Sequence, residues 1–135
     1  MIVVDASVAL AWCLADEGDE YAERMLARVA LETALAPAHW PLEVANGLLS
    51  AERRGRIGAD DQPTLARLLD GLGVEIVPVE LSTVLWSVLD VAREHGLSAY
   101  DAAYLDLARF KGLPLATLDV PLRDACRSAG VEVAA

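Results

Sequence analysis

The 135-residue sequence has only two cysteines, Cys13 and Cys126, and a single lysine, Lys111. Two cysteines fit a disulfide framework poorly, although the sequence leaves a single bridge between them open. They suit buried thiols in a reducing compartment, so a cytoplasmic location is expected. No apolar run approaches the ~20 residues of a membrane span. No basic segment stands ahead of the first apolar residues, as a secretory signal requires. Repeats, low-complexity tracts and linkers are also missing, so one domain over residues 1–135 is expected. Positive charge is scarce as well: 11 Lys and Arg against 21 Asp and Glu give a net charge of −10. Such a surface repels nucleic acid at long range and attracts a basic protein.

Apolar residues make up 55% of the chain, which excludes a disordered polymer. A domain of this size buries roughly two thirds of its unfolded surface. The apolar, β-branched run Met1 to Asp5 reads as a buried strand. Ala6 to Ala15 reads as a helix, and Asp19 to about Leu35 shows helical periodicity. Leu35 to Ala38 is a second strand. Pro41 opens a helix that stops near Gly55, and another runs from Asp60 to Leu72. Val74 to Val79 is a strand that Pro78 places at a sheet edge. Helices follow over Leu81 to His95 and Ser98 to Lys111, each closed by a glycine. Pro114 to Leu118 is a fourth strand, Pro121 to Ser128 a helix, and Val131 to Val133 a last short strand. Strands alternating with helices predict an α/β fold, with a mostly parallel sheet of four to five strands covered on both faces.

In such a sheet the strand carboxyl ends share one edge, where ligands bind. Asp5 ends the first strand and Asp119 follows the fourth. Glu43 and Asp101 lie in first turns of helices that begin at that edge. Each acid alone has a structural explanation as a cap or a dipole partner. Ser98 to Asp101 also resembles a capping box with Asp in place of Glu. Together the four repel: two like charges ~4 Å apart cost about 4 kcal/mol at an effective dielectric of 20, against ~1 kcal/mol for a cap. A cluster of this kind takes up protons or holds a cation. All-oxygen donors suit Mg²⁺ or Mn²⁺, and neither His nor Cys appears at zinc-ligand spacing.

Four segments, MIVVDASVAL, Glu43-Val44-Ala45-Asn46, SAYDAAYLDLA and LATLDVPLRDA, closely resemble a PIN-domain ribonuclease, and the short chain resembles the VapC toxins of type II toxin–antitoxin systems. The resemblance implies a three-layer α/β/α domain and metal-dependent cleavage of RNA. The family's catalytic acids fall on Asp5, Glu43, Asp101 and Asp119. Among them Asp5, Asp101 and Asp119 are the expected metal ligands, Asp5 and Asp101 the principal ones, with Asp119 and Glu43 serving a second ion or orienting water. Ser7, Asn46 and Thr117 match the polar residues that support these acids, and Asp124 is a further candidate acid or a solvated helix residue. A homodimer and a cognate antitoxin are also implied.

For a protein of this charge, RNA must be met by arginine clusters or by the metal. Arg53, Arg54 and Arg56 gather at a helix end, and Arg123 and Arg127 follow Asp119; each group is also explained as a solvated face. His39 and His95 lie beside helix ends with no partner evident from spacing, so a structural role is expected for both. Tyr100 and Tyr104 are expected to pack inward, with Tyr100 a candidate for the cleft. Val84, Leu85, Val88 and Leu89 form an apolar stripe that is either core or dimer surface. A haloacid-dehalogenase-type phosphatase wants Asp where Ser7 stands, and a response-regulator receiver wants its lysine after a late strand. The remaining alternative is a non-catalytic acidic domain that binds a basic partner.

Overall fold

Strand β1 (Ile2–Val4) is buried along its whole length, as a continuous β-branched run requires. In this computed structural model, which describes residues 1–135 apart from the side chain of Glu17, β1 pairs in parallel with β2 (Ala34–Pro37) on one side and β4 (Leu115–Ala116) on the other. β3 (Glu75–Val77) pairs with β2 and forms the edge, as Pro78 predicts. The sheet order is β3-β2-β1-β4. The expected last strand is reduced to a single parallel bridge between Val133 and Leu115.

Among the described residues, eight α-helices flank these strands. α1 (Ala6–Cys13) packs on α2 (Glu20–Val29) and α3 (Trp40–Arg53). α4 (Gln62–Gly71) leads to β3. α5 (Leu81–Thr83) continues through a π-helical turn, Val84–Val88, into α6 (Leu89–His95). α7 (Ala99–Lys111) packs on α6, on α8 (Val120–Ala129), and across β1, β2 and β4. Right-handed crossovers that proceed from β1 to β3 and then jump back to β4 put these two helix groups on opposite faces. The fold is the three-layer α/β/α sandwich expected from the sequence. Gly96 and Gly112 close α6 and α7 at φ of 64° and 66°, the left-handed region where glycine has no Cβ penalty.

The second helix is shorter than its periodicity suggests. It stops at Val29, and the Leu31 and Glu32 amides both return to the Arg28 carbonyl. Leu31 is 90% exposed, so no apolar contact draws the helix onward. Residues 34–37 instead spend their backbone groups in the ladders with β1 and β3, a tertiary pairing that overrides local preference. The apolar stripe at Val84–Leu89 divides: Val88 is core, whereas Leu85 and its neighbour Trp86 are exposed. The π turn carries Ser87, whose hydroxyl bonds the buried Asp106 of α7 at 2.5 Å. Cys13 and Cys126 are free, buried thiols. No helix among the described residues is long and apolar enough to cross a membrane.

Candidate active site

The chain leaves β1 for β2 on one side and returns to β4 on the other. This strand order makes a switch point between β1 and β4, so a crevice opens at their carboxyl ends. Asp5 lies at that mouth, where its amide continues the ladder to the Ala116 carbonyl at 3.1 Å. It is only 4% exposed. Its Oδ1 accepts the Ser7 hydroxyl at 2.6 Å and the Val8 amide at 3.1 Å, while Oδ2 accepts the Thr117 hydroxyl. A carboxylate offers about four acceptor positions. These three donors leave a position on Oδ2 open and hold the group in one orientation.

Thr117 ties both sides of the crevice together. Fully buried, it gives its hydroxyl to Asp5 and accepts the Asp119 amide at 3.0 Å. Ser7 does the same from the first turn of α1: its oxygen accepts the Leu118 amide at 2.9 Å. The Asp119 carboxylate caps α8 through Oδ2, which accepts the Leu122 amide at 2.9 Å. The capping explanation for Asp5 and Asp119 is therefore true, and it employs one oxygen of Asp119 only. Asp101 stands in the first turn of α7, its amide bonded to Ser98 Oγ at 3.1 Å.

Glu43 enters from α3. Its Oε1 accepts the Tyr104 hydroxyl at 3.3 Å and lies 2.8 Å from His39 Nε2. Here the structure corrects the sequence reading of His39: it has a partner, and the partner belongs to the acidic quartet. The signal was present in the sequence as an i, i+4 pair at a helix start. Tyr104 was placed inward and is buried, whereas Tyr100 is 65% exposed at the helix entrance.

The four acids feel one another. Burial pushes the Asp5 carboxyl from 3.8 up to about 6, overcoming its hydrogen bonds, and Asp101 adds to the rise. Asp101 is raised by burial, then by Asp119 and by Glu43. The Tyr104 phenol is raised by burial and by the charges of Glu43, Asp5 and Asp101. A shared negative field is present, although among the described residues no three His, Cys, Asp or Glu side chains stand close enough together to grip one ion in this arrangement.

The remaining candidates lie further out. Asn46 is exposed on α3 one turn beyond Glu43. Asp124 is exposed and paired with Arg127 at 2.9 Å. Arg53 and Arg54 are exposed at the far end of α3, some 15 Å along the helix from Glu43 at 1.5 Å per residue. Arg56 binds Asp16 through Nε and Nη2, both at 2.9 Å. Arg123 turns inward: its Nε donates to the Thr117 carbonyl at 2.7 Å, and its guanidinium lies 4.4 Å from the Tyr21 ring centre.

Comparison with known proteins agrees with this geometry. The PIN domain model matches residues 2–127. Ribonuclease VapC3 of Pyrobaculum aerophilum is 33% identical over 123 residues, which cover 91% of this chain and 92% of that protein. Ribonuclease VapC9 of Mycobacterium tuberculosis is 36% identical over 125 residues, covering 92% and 90%. The crystal structure of PAE2754 from Pyrobaculum aerophilum superposes with a TM-score of 0.70 at 27% identity, covering 92% of this chain and 78% of that one. With the fold, the crevice at its switch point and the acids around it, this match means that the chain belongs to the PIN domain family.

Proposed function

We propose that the chain is a metal-dependent endoribonuclease and the toxin of a type II toxin–antitoxin pair. One observation carries the reading: a carboxylate buried to 4% exposure at a ligand-binding sheet edge, held by three donors, within the electrostatic reach of further acids. Burying such a group is costly unless its charge is matched. The similarity to proteins named as VapC ribonucleases supplies the substrate class.

The donor set fits Mg²⁺ or Mn²⁺. It is all oxygen: Asp119 and Glu43 each have one oxygen fixed by a protein donor and the other open, and Asp5 keeps one acceptor position on Oδ2. Asp5, Asp101 and Asp119 would hold the ion, and their mutual repulsion is the term that a cation relieves. Such an ion supplies, when bound, a water acidic enough to deprotonate near neutral pH and a positive charge beside the phosphoryl oxygens. Ser7 and Thr117 fix the Asp5 carboxylate, and Thr117 also fixes the loop that presents Asp119. Glu43, anchored through one oxygen, has the other available to orient the attacking water. Arg53 and Arg54 remain exposed cations for the RNA backbone away from the cut.

The net charge of −10 suits an antitoxin with a basic segment. The exposed Leu81, Leu85 and Trp86 provide a surface for self-association into a dimer. Buried free thiols suit the cytoplasm. The rival reading, an acidic domain that only binds a basic partner, draws on the absence of a closed ion cage among the described residues. Incubation of the purified chain with RNA and Mg²⁺ or Mn²⁺, beside the Asp101→Asn variant, separates the two. Cleavage by the wild type alone supports the nuclease. Equal cleavage by both, or by neither, defeats it.

A further inference from the structure

His39 occupies the N-cap position of α3, yet its ring makes no capping bond. It turns forward instead. Nε2 lies 2.8 Å from Glu43 Oε1 and 3.0 Å from the Tyr100 carbonyl oxygen. The Tyr100 carbonyl is an acceptor only, so Nε2 carries a proton and donates it there, while Glu43 Oε1 makes a close charge contact with the same nitrogen. The Tyr100 carbonyl belongs to the first turn of α7, beside Asp101. The imidazole is held between two rings, with centroids 4.9 Å from Tyr104 and 5.6 Å from Tyr100. Tyr104 in turn donates to the same Glu43 oxygen. One ring therefore connects the acid carried by α3 to the helix that carries Asp101, across the sheet edge between β2 and β1.

We propose that His39 is a positioning residue of the acidic site: its ring, bonded through Nε2 to the Tyr100 carbonyl, holds Glu43 by charge contact against the start of α7 and leaves Oε2 as the working oxygen. This rests on the ribonuclease reading and deepens it. Glu43 is one-third exposed and extends from an early helical turn, so without a second contact its carboxylate samples several rotamers. Loss of an outer contact of this kind behind a working carboxylate typically lowers activity 10–100-fold. Neighbouring α3 and α7 keep their own backbone bonds, so the fold survives.

The test compares His39→Ala, His39→Gln and His39→Asn with the wild type in Mn²⁺-dependent cleavage of an RNA oligonucleotide. Glutamine places an amide donor near the position of Nε2, and asparagine cannot reach it. Expected is a 10–100-fold fall in kcat for His39→Ala and His39→Asn, KM within about threefold, unchanged circular dichroism, and recovery of most of the rate in His39→Gln. Unchanged kcat in His39→Ala, or equal loss in all three variants, overturns the proposal while a dead Asp101→Asn keeps the ribonuclease reading intact. Where the wild type itself fails to cleave, imidazole ¹⁵N spectra still decide: a slowly exchanging Nε2–H whose shift moves in Glu43→Gln supports the contact. A rapidly exchanging ring indifferent to Glu43→Gln refutes it.

Discussion

Asp5→Asn offers a test that separates stability from function. In the folded chain the Asp5 carboxyl keeps its proton to about pH 6, whereas its unperturbed value is 3.8. Between those values the folded state binds more protons than the unfolded one, so stability falls as pH rises. The contribution is fully present below 3.8 and is lost once pH has passed about 6. A shift of this size corresponds to about 3 kcal/mol. Asparagine removes the charge and keeps the size. The charge-assisted bonds from Ser7 and Thr117 are already inside that shift, so asparagine forfeits only one neutral bond relative to the protonated acid, worth about 1–1.5 kcal/mol. At pH 8 the variant is therefore expected to be more stable by about 1–2 kcal/mol, or roughly 3–8 °C in Tm for a domain of this length. At pH 4 the advantage vanishes or reverses. Urea or thermal denaturation between pH 4 and 8 reads the difference directly. A gap independent of pH would refute the reasoning, because the destabilisation would then have nothing to do with ionisation. Mn²⁺ adds a second axis: it should stabilise the wild type at pH 8 by mass action and leave Asp5→Asn nearly unmoved.

Other outcomes follow from single contacts. Thr117→Val removes the hydroxyl shared by Asp5 and the Asp119 amide; urea titration should show a loss of about 1–3 kcal/mol, and the cleavage rate should fall at least tenfold. Tyr104→Phe deletes only a 3.3 Å bond to Glu43, so a stability change under about 1 kcal/mol and a rate change of a few fold are expected in the same assays. Gly47→Ala brings a Cβ to 2.4 Å from Leu10 Cδ1, between α3 and α1; a cost of about 1–3 kcal/mol is expected, turning into a gain of up to ~1 kcal/mol in a Leu10→Ala background, measured as a double-mutant cycle.

Much of the architecture could be read from the chain because local and tertiary signals agree. β1 is apolar on both faces, and a central parallel strand needs that. Pro78 marked an edge strand, and Gly96 and Gly112 marked helix ends. Disagreement came where non-local pairing decides the outcome, as at residues 30–35, whose helical periodicity yields to the β1–β2 ladder. The π turn at Val84–Val88 was equally hidden, since it changes hydrogen-bond partners without changing the apolar stripe much. Of the candidate site, Asp5, Ser7, Thr117 and Asp119 are joined by named bonds, and Asp101 and Glu43 share their field. The arginines behaved differently. A sequence shows that Arg123 and Arg127 are one turn apart, but not that one bends inward to a carbonyl while the other pairs with Asp124. Side chains that long have too many rotamers for spacing alone to place them.

The strand order has a consequence for how the molecule comes into being. Synthesis reaches Asp5 112 residues before Thr117, and only the β1–β4 pairing brings the two together. Until the segment that holds Thr117 has been synthesised and docked, Asp5 has the Ser7 hydroxyl on Oδ1 but lacks the Thr117 hydroxyl on Oδ2. A half-made polypeptide thus carries Asp5 without its distant partner, and the acidic crevice is completed only when β4 docks beside β1.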